Sequence, residues 1–478
     1  MYDIAIIGCG IIGASCAYYL SRYKLKIAVI EKHNDVCMET TRANSAIIHA
    51  GYDPKPDSLC AKYNVRGNEL AKEICEKLDV AYKQIGSLVV AFNDDEMKTI
   101  GELYERGKAN GVPDMEIVNQ AKLREMEPFI FEEALGALYA PTAAIVNPWE
   151  YGIAMAETAV KNGTELFLNT EVKSIEKRND IWHIETGSGE FDAKYIINAA
   201  GVWADDITAM VGKPDYKINP SAGEYYLLDK CEGERAKHVI FQCPNELGKG
   251  VLVAPTVHGN LIVGPNAVSS EKDDTSTKTA SLDFVRERAV KSIPSINFRE
   301  NIRNFTGVRA NTDTGDFVIR FSEENFLDLA GIKSPGLSAA PAIAEGAVQM
   351  LKEKGLALAE KSDFIDSREH IRFKELSNED KNKLINENSA FGRVVCRCET
   401  ITEGEILAAL ASPISPVSLD GIKRRAGTGM GRCQGGFCGP KILEIMANYK
   451  NTEPESILQD DNGSYILTGE TKNGGDLK

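Results

Sequence analysis

The chain has 478 residues, of which 43% are hydrophobic and 26% charged, and its formal net charge is −15. This length predicts about three domains, and the composition is typical of a globular protein in water. The negative charge argues against general nucleic-acid binding, because a basic surface is needed to displace counterions from phosphates.

The N-terminal residues predict neither a secretory signal nor a membrane anchor. A strand over Tyr2–Ile7 begins almost at the initiator methionine, which leaves no room for a signal peptide. The apolar stretch Ile4–Leu20 is short for a membrane span and contains three glycines. The eleven cysteines then indicate a reducing compartment. We therefore expect a cytoplasmic protein without a transmembrane segment.

The first thirty residues or so carry a dinucleotide-binding fingerprint. A strand over Tyr2–Ile7, an amphipathic helix over Ile11–Tyr23 and a strand over Lys26–Glu31 form a βαβ unit. Its glycines permit a tight turn, close approach of a pyrophosphate and close helix–strand packing, in the order Gly8, Gly10, Gly13. Glu31 ends the second strand, where an acid accepts hydrogen bonds from ribose hydroxyls. The fingerprint alone does not distinguish NAD from FAD.

Two later apolar strands repeat this pattern. Tyr195–Ala199 is followed closely by Gly201, and Phe326–Gly331 leads to a helix over Ala339–Lys354. Between them, short β-like runs separated by polar turns predict a mixed sheet that covers a pocket. The sequence therefore predicts a parallel-sheet domain that recurs three times and is interrupted by a substrate region.

Four cysteines near the C-terminus predict a metal centre. They form two pairs, Cys396-x-Cys398 and Cys433-x4-Cys438, in a glycine-rich setting. Four thiolates are the number that a [2Fe–2S] cluster needs, although zinc sites can use the same ligands. Zinc knuckles more often separate each pair by two residues, so the spacing favours iron–sulfur. The surrounding segment has eight Lys/Arg against five Asp/Glu, a balance that could steer an acidic partner.

The motifs in combination carry a family resemblance. The fingerprint, together with Asn198–Ala204 and Leu329–Ser338, resembles the D-amino-acid-oxidase-type FAD oxidoreductases. Within that family, the set resembles the branch that contains glycerol-3-phosphate dehydrogenase and L-2-hydroxyglutarate dehydrogenase. Thr40–Gly51 is similar to the flavin-contacting loop of that branch, Gly223–Tyr226 to a substrate-domain strand, and Gly307–Arg309 to its anion-binding segment. The resemblance covers about residues 1–360. The C-terminal module resembles the bacterioferritin-associated ferredoxin-like [2Fe–2S] domain.

The resemblance implies an α/β fold, with α+β character in the substrate region. A Rossmann-like FAD-binding domain holds an inserted mixed-sheet substrate domain, and a small helical Cys-rich domain follows. The expected FAD-binding segments are 1–80, 145–213 and 300–360, and the substrate-domain segments are 81–144 and 214–299. The remaining boundaries are a linker at 361–390, the [2Fe–2S] domain at 391–450 and a polar tail at 451–478.

The resemblance also implies which residues contact FAD. They come from the fingerprint, the flavin-contacting loop and the later strand ends: Gly8, Gly10, Ile12, Gly13, Glu31, Lys32, Thr41, Asn44, Ser45, Val172, Ala200, Gly201, Trp203, Gly307, Gly331, Gly336, Leu337 and Ser338.

Four residues are candidates for the chemistry. Oxidation of an alcohol needs a base for the hydroxyl proton, and His49 and His258 are both candidates. The Arg309 guanidinium suits a carboxylate or a phosphate, which it can bind through two parallel hydrogen bonds. Lys333 could neutralise reduced flavin or bind phosphate; relatives that act on 2-hydroxy acids are associated with an acidic residue here, so the lysine favours phosphate.

The resemblance implies an FAD-dependent dehydrogenase that oxidises sn-glycerol 3-phosphate to dihydroxyacetone phosphate. Electrons would pass through the [2Fe–2S] cluster to a second flavoprotein or another electron-acceptor subunit. An L-2-hydroxyglutarate or other 2-hydroxy-acid dehydrogenase is the nearest alternative, followed by an amino-acid dehydrogenase. A non-catalytic FAD and iron–sulfur electron-transfer subunit is the alternative from another class.

Overall fold

The computed structural model describes residues 1–244 and 250–469. The chain divides into two compact units. The first contains Met1–Lys32 and Val36–Arg368, and the second contains His33–Asp35 and the chain from Glu369 onward. The three residues His33–Asp35 therefore belong to the second unit, although they follow the dinucleotide fingerprint in the sequence.

The first unit alternates helices and strands. Its helices are α1 (Ile11–Leu20), α2 (Leu59–Lys77), α3 (Asp94–Ala109), α4 (Gln120–Met126), α5 (Pro148–Lys161), α6 (Ala204–Ala209), α7 (Thr279–Ser292) and α8 (Gly336–Glu353). Its strands are β1 (Tyr2–Ile7), β2 (Ile27–Ile30), β3 (Ile47–Ile48), β4 (Tyr82–Gln84), β5 (Ser87–Ala91), β6 (Glu116–Asn119), β7 (Gly136–Ala140), β8 (Ala144–Val146), β9 (Glu165–Phe167), β10 (Val172–Arg178), β11 (Ile181–Thr186), β12 (Gly189–Asn198), β13 (Ile218–Leu228), β14 (Val239–Gln242), β15 (Leu252–Pro255), β16 (Leu261–Gly264), β17 (Val268–Ser269), β18 (Asn301–Thr312), β19 (Val318–Glu323) and β20 (Phe326–Ala330).

A largely parallel sheet joins three distant parts of the sequence. Its strands run in the order β10-β11-β12-β1-β2-β9, with β20 also beside β12 and β19 beside β20. The pairs between β12, β1, β2, β9 and β20 are parallel. β2 and β20 are buried along their whole length, as expected of strands covered on both faces. This sheet confirms the predicted Rossmann-like architecture.

A second, mixed sheet lies in the segments between these strands. Its order is β17-β13-β16-β15-β14-β5-β7-β6, with β18 also paired to β13. β14 and β5 are parallel, and the remaining pairs are antiparallel. This sheet is the mixed sheet that the sequence predicted for the substrate region.

The second unit is small and mostly helical. It contains β21 (Val394–Cys396), β22 (Ile401–Thr402), α9 (Asn378–Glu387), α10 (Glu403–Leu410), α11 (Leu419–Ala426) and α12 (Gly439–Lys450). Ile406, Ile422 and Met446 are fully buried, and together with Cys396 and Cys438 they belong to one core. A capping box between Thr402 and Glu405 fixes the start of α10.

Several element boundaries differ from the sequence expectation. α8 begins at Gly336, three residues before the predicted start at Ala339. The Pro335–Gly336 pair looks like a helix breaker, but the N–H groups of a first helical turn need no intrahelical partner, so glycine is tolerated there. Residues 451–469 of the predicted polar tail pack into the second unit, where Ile457 is buried; residues 470–478 lie outside the described part of the chain.

Candidate active site and metal centre

The glycine fingerprint forms a turn that has no room for a side chain at Gly8 or Gly13. A Cβ at Gly13 would overlap the carbonyl oxygen of Gly8. A Cβ at Gly8 would lie 2.7 Å from the carbonyl oxygen of Ala199, which follows β12. The turn therefore presents bare backbone and the N-terminus of α1, with Ile12 in its first turn, to the edge where the parallel strands end. Such an edge suits a pyrophosphate group.

Two polar side chains hold this turn. The Cys9 N–H donates to Glu31 Oε2 (2.7 Å), and the Ile11 N–H donates to Thr41 Oγ1 (2.9 Å). Glu31 is 6% exposed and lies directly after β2. The Thr170 N–H donates to the Glu31 carbonyl (2.8 Å), which places Val172, at the start of β10, close behind. A buried acid beside the turn fits the ribose position of a dinucleotide.

The end of β12 adds a tryptophan and a carboxylate to this edge. Ala200 and Gly201 follow β12 and lead into a turn at Trp203. The Trp203 Nε1–H donates to Glu39 Oε1 (3.1 Å), and Lys32 Nζ lies 2.6 Å from the same oxygen. Lys32 Nζ also lies 4.3 Å from the centre of the Trp203 ring. Glu39 thus links two residues that the sequence predicted separately, but it carries no motif that could have identified it.

The predicted flavin-contacting loop is held in shape by the side chain of Asn44. Asn44 Nδ2 donates to the carbonyl oxygens of Thr40 (3.1 Å) and Thr41 (2.8 Å), and Asn44 Oδ1 accepts from the Ala46 N–H (2.8 Å). Ser45 Oγ lies 3.2 Å from the hydroxyl of Tyr225 on β13. These contacts place the loop against the mixed sheet.

Gly307 allows the loop to approach the mixed sheet closely at a second place. A side chain at this position would overlap the carbonyl oxygen of Ala43. Gly307 lies in β18, directly opposite Gly223 on β13. The loop backbone can therefore lie against β18, two residues before Arg309.

His49 lies near the end of this loop and contacts the start of α8. Its backbone N–H donates to Ser338 Oγ (2.7 Å), and its carbonyl accepts from Asn64 Nδ2 (2.8 Å). Its Nε2 lies 3.3 Å from Ser334 Oγ, and its ring stacks on Phe241 with centroids 5.7 Å apart. The ring is therefore oriented by contacts on several sides. The predicted residues Gly331, Gly336 and Leu337 lie between the end of β20 and this turn of α8.

Arg309 is a half-buried cation bound to carbonyl groups. Its Nη1 donates to the Ala222 carbonyl (3.4 Å), and its Nη2 donates to the Asn266 carbonyl (3.0 Å). The absence of a side chain at Gly223 makes room for the guanidinium, which a Cβ there would overlap. Arg309 forms no ion pair with any residue in the described ranges. A guanidinium without a neighbouring carboxylate can bind an external anion.

Lys333 lies in the turn between β20 and α8 and is half-buried. Its backbone N–H donates to the Gly331 carbonyl (2.9 Å). Within residues 1–244 and 250–469, its ammonium group has no ion-pair partner. It is a second cation near the predicted site without a protein counter-charge.

His258 contacts the residue that caps the N-terminus of α5. Its Nε2 lies 3.2 Å from Asn147 Nδ2. Asn147 caps α5, and its Oδ1 accepts from the Glu150 N–H, which turns its amide NH2 group toward the histidine. An amide NH2 can only donate, so His258 Nε2 acts as the acceptor in this contact. The lone pair of that nitrogen is engaged by a group that can only donate, whereas the Ser334 hydroxyl beside His49 Nε2 can either donate or accept.

The four predicted cysteine ligands lie together in the second unit. Cys396 Sγ and Cys398 Sγ are 3.7 Å apart. Hydrogen bonds also join Cys396 to Cys438 and Cys398 to Cys433. Backbone N–H groups of Gly429 and Glu399 point at the Cys396 sulfur, and those of Phe437 and Gly435 at Cys433. Four thiols surrounded by N–H donors fit an anionic iron–sulfur cluster.

The thiols of this group interact strongly. The hydrogen bond from Cys438, with those from the Gly429 and Glu399 backbones, lowers the pKa of Cys396 to about 5 despite burial. Burial and the neighbouring Cys396 raise the pKa of Cys398 to about 12. Metal binding to such a group would therefore release protons.

Known proteins match both units. The family described as FAD dependent oxidoreductase matches residues 3–350, and the BFD-like [2Fe-2S] binding domain matches residues 394–448. A glycerol 3-phosphate dehydrogenase of Caloramator mitchellensis is 49% identical over 99% of both chains. A glycerol 3-phosphate oxidase of Mycoplasma genitalium is 37% identical over 74% of this chain and 95% of its own.

A solved structure agrees with these matches. The dithionite-reduced L-alpha-glycerophosphate oxidase from Mycoplasma pneumoniae with FAD bound has a TM-score of 0.73 and 32% identity, covering 77% of this chain and 98% of that one. The match to a [2Fe-2S] binding domain also decides between the iron–sulfur and zinc alternatives for the four cysteines. The chain belongs to the FAD dependent oxidoreductase family and carries a BFD-like [2Fe-2S] binding domain at its C-terminal end.

Proposed function

We propose that this protein is an FAD-dependent dehydrogenase that oxidises sn-glycerol 3-phosphate to dihydroxyacetone phosphate. The observation that carries the proposal is the 49% identity to a glycerol 3-phosphate dehydrogenase over 99% of both chains, because that match includes both the flavin unit and the cysteine unit. The 2-hydroxy-acid and amino-acid alternatives have less support, as has a non-catalytic electron-transfer subunit.

FAD supplies a hydride acceptor for the alcohol carbon, and the [2Fe–2S] cluster supplies a one-electron relay. The glycine turn, Glu31 and Thr41 are the residues we expect to hold the dinucleotide.

We propose His49 Nε2 as the atom that takes the hydroxyl proton, because stacking on Phe241 and the nearby Ser334 hydroxyl fix its ring. His258 is the weaker candidate, since its Nε2 already accepts from Asn147.

The two cations without counter-charges favour an anionic substrate. Arg309 offers a planar pair of donors, and Lys333 offers a point charge. A phosphate dianion is the group best able to use both, because it has three acceptor oxygens. The carbonyl partners of Arg309 hold the guanidinium in place without neutralising it. These residues support glycerol 3-phosphate over an uncharged alcohol.

We further propose that the electrons leave through Cys396, Cys398, Cys433 and Cys438 to a partner protein in the cytoplasm. The described residues contain no disulfide. None of the helices within the described residues has the length and hydropathy needed to cross a membrane. A second flavoprotein or another electron-acceptor subunit is the expected partner.

The substrate proposal is tested by anaerobic titration of the purified protein. We expect sn-glycerol 3-phosphate to bleach the flavin absorbance and to yield one dihydroxyacetone phosphate per two electrons passed to a dye. The enantiomer sn-glycerol 1-phosphate is the matched control, since it carries the same charge. Bleaching by L-2-hydroxyglutarate or proline, with none by glycerol 3-phosphate, would show that the substrate assignment is wrong.

A further inference from the structure

The loop between the last two cysteine ligands exposes an aromatic ring. Phe437 directly precedes Cys438 and is 87% exposed, the largest value for a large hydrophobic residue in the described part of the chain. Single exposed apolar side chains are common on proteins and have no function by themselves. The setting of Phe437 in the metal site is what distinguishes it.

The backbone around Phe437 is ordered by hydrogen bonds. The Gln434 N–H donates to the Gly431 carbonyl (2.9 Å), and the Gly436 N–H donates to the Cys433 carbonyl (3.0 Å). The backbone N–H of Phe437 itself donates to the sulfur of Cys433. The same residue therefore supports a ligand with its backbone and presents its ring to solvent.

The exposed charges near the ligands are mostly positive. Arg397 lies between Cys396 and Cys398, Arg432 directly precedes Cys433, and Lys441 lies in the first turn of α12; all three are exposed. Arg397 and Lys441 have no ion-pair partner within the described residues. We call Arg397, Arg432, Phe437 and Lys441 the cluster face.

The acidic residues of the same segment do not cancel this charge. Glu399, Glu405 and Asp420 are buried, and Glu403 pairs with Arg393 (2.6 Å). Glu444 is the remaining exposed acid of the segment. Arg397 and Lys441 therefore make the cluster face positive on a chain whose formal net charge is −15.

We propose that the cluster face is the docking surface for an acidic one-electron carrier protein, with Phe437 as its apolar anchor. This inference rests on the proposed exit of electrons through the cluster. Aromatic residues, phenylalanine among them, and arginine are enriched at protein–protein interfaces relative to the rest of the surface. Complementary charge accelerates encounter without requiring a large interface, as a transient carrier needs. Each two-electron oxidation would reduce two carrier molecules by one electron each, and no bond is formed with the carrier.

The test uses the intact holoenzyme and two probe proteins of opposite charge. Plastocyanin is acidic and cytochrome c is basic, and both accept one electron at high potential. Binding is measured on the oxidised holoenzyme without substrate, by NMR line broadening of the probe at 20 and 200 mM salt. We expect plastocyanin to bind, its Kd to rise about tenfold or more at the higher salt, and cytochrome c to bind more weakly.

Variants identify the surface. Phe437→Ala, which keeps the backbone N–H, and Arg397→Gln are each expected to raise the plastocyanin Kd at least fivefold, with substrate-driven bleaching of the flavin unchanged. Iron content is measured for each variant, and the Kd is compared only between proteins that carry the same amount of iron. Tyr449→Ala is the control, since Tyr449 is an exposed aromatic on α12, roughly 15 Å along the helix axis from Gly439. Its Kd is expected to equal that of the wild type.

Three outcomes would overturn the proposal. They are wild-type binding by Phe437→Ala, equal or tighter binding of cytochrome c, and a change of oligomeric state in Phe437→Ala, which would assign the face to a second copy of the chain. The binding assay needs no substrate. A failure of glycerol 3-phosphate to bleach the flavin would therefore contradict the proposed function separately.

Discussion

Arg309 shows how a functional side chain is prepared at the scale of single residues. Two carbonyl oxygens hold the guanidinium at 3.4 and 3.0 Å, and the absence of a side chain at Gly223 makes room for it. Carbonyl groups orient a cation without supplying a negative charge. The positive charge therefore remains available to a substrate.

We predict that Arg309→Ala lowers kcat/KM for glycerol 3-phosphate by roughly tenfold to hundredfold. Hydrogen bonds to charged groups contribute about 1.5–3 kcal/mol each, and about 1.36 kcal/mol corresponds to a factor of ten in rate. Arg309→Lys is expected to recover part of the loss, because lysine keeps the positive charge but lacks the planar pair of donors. Steady-state kinetics with a dye acceptor measures the effect.

The control for this prediction is Arg303→Ala. Arg303 lies on the same strand, β18, but is exposed. It should leave kcat/KM unchanged, and both alanine variants should keep the flavin content of the wild type. Equal activity of Arg309→Ala and the wild type would remove Arg309 from the substrate site.

At the scale of elements, α11 is fixed by a buried carboxylate from a distant part of the sequence. Arg425 Nη1 and Nη2 donate to Asp35 Oδ2 (2.9 Å) and Oδ1 (2.8 Å), and Arg424 Nη2 donates to Asp35 Oδ2 (3.0 Å). Burial by itself would raise the pKa of Asp35, but the two arginines outweigh it and lower the pKa to about 2. All three side chains are less than 5% exposed.

We predict that Asp35→Asn destabilises the second unit by about 3–5 kcal/mol, because it removes one partner of a buried ion pair. A carboxyl group whose folded pKa is lowered stabilises the fold above its unfolded pKa. That stability is lost only as the pH falls from about 4 toward 2. The difference between variant and wild type should therefore be constant from pH 6 to 8. Guanidinium denaturation followed by the visible absorbance of the cluster measures it.

Glu444→Gln serves as the comparison, since Glu444 is exposed on α12 of the same unit. It should denature with the wild-type midpoint. A stability difference for Asp35→Asn that changes between pH 6 and 8 would assign the effect to another titrating group.

At the scale of the whole molecule, the two predicted redox sites belong to different compact units. All the predicted FAD residues lie in the first unit, and all four predicted cysteine ligands lie in the second. Each unit has buried residues of its own that form a core. Loss of one cofactor is therefore not expected to abolish binding of the other.

We predict that Cys398→Ser loses iron and sulfide but keeps bound FAD. Glycerol 3-phosphate should still bleach the flavin and reduce a small dye, whereas reduction of a protein acceptor should fall at least tenfold. Cys231→Ser is the control, because Cys231 is an exposed free thiol of the first unit. Iron analysis and visible spectra give the readout; full iron content in Cys398→Ser would exclude that residue as a ligand.

The sequence by itself determined the local motifs. The glycine fingerprint occupies one βαβ unit, and each cysteine pair spans only a few residues. Residues this close in the sequence are also close in the structure, so their spacing predicts the site. It could not show that His258 Nε2 contacts Asn147 or that His49 Nε2 contacts Ser334, because each contact joins residues more than a hundred positions apart. Likewise, only the tertiary structure showed that Glu39 links Lys32 to Trp203 and that Asp35 pairs with Arg424 and Arg425. Contacts between distant residues form only when sheets and helices pack, and no periodicity in the sequence records them.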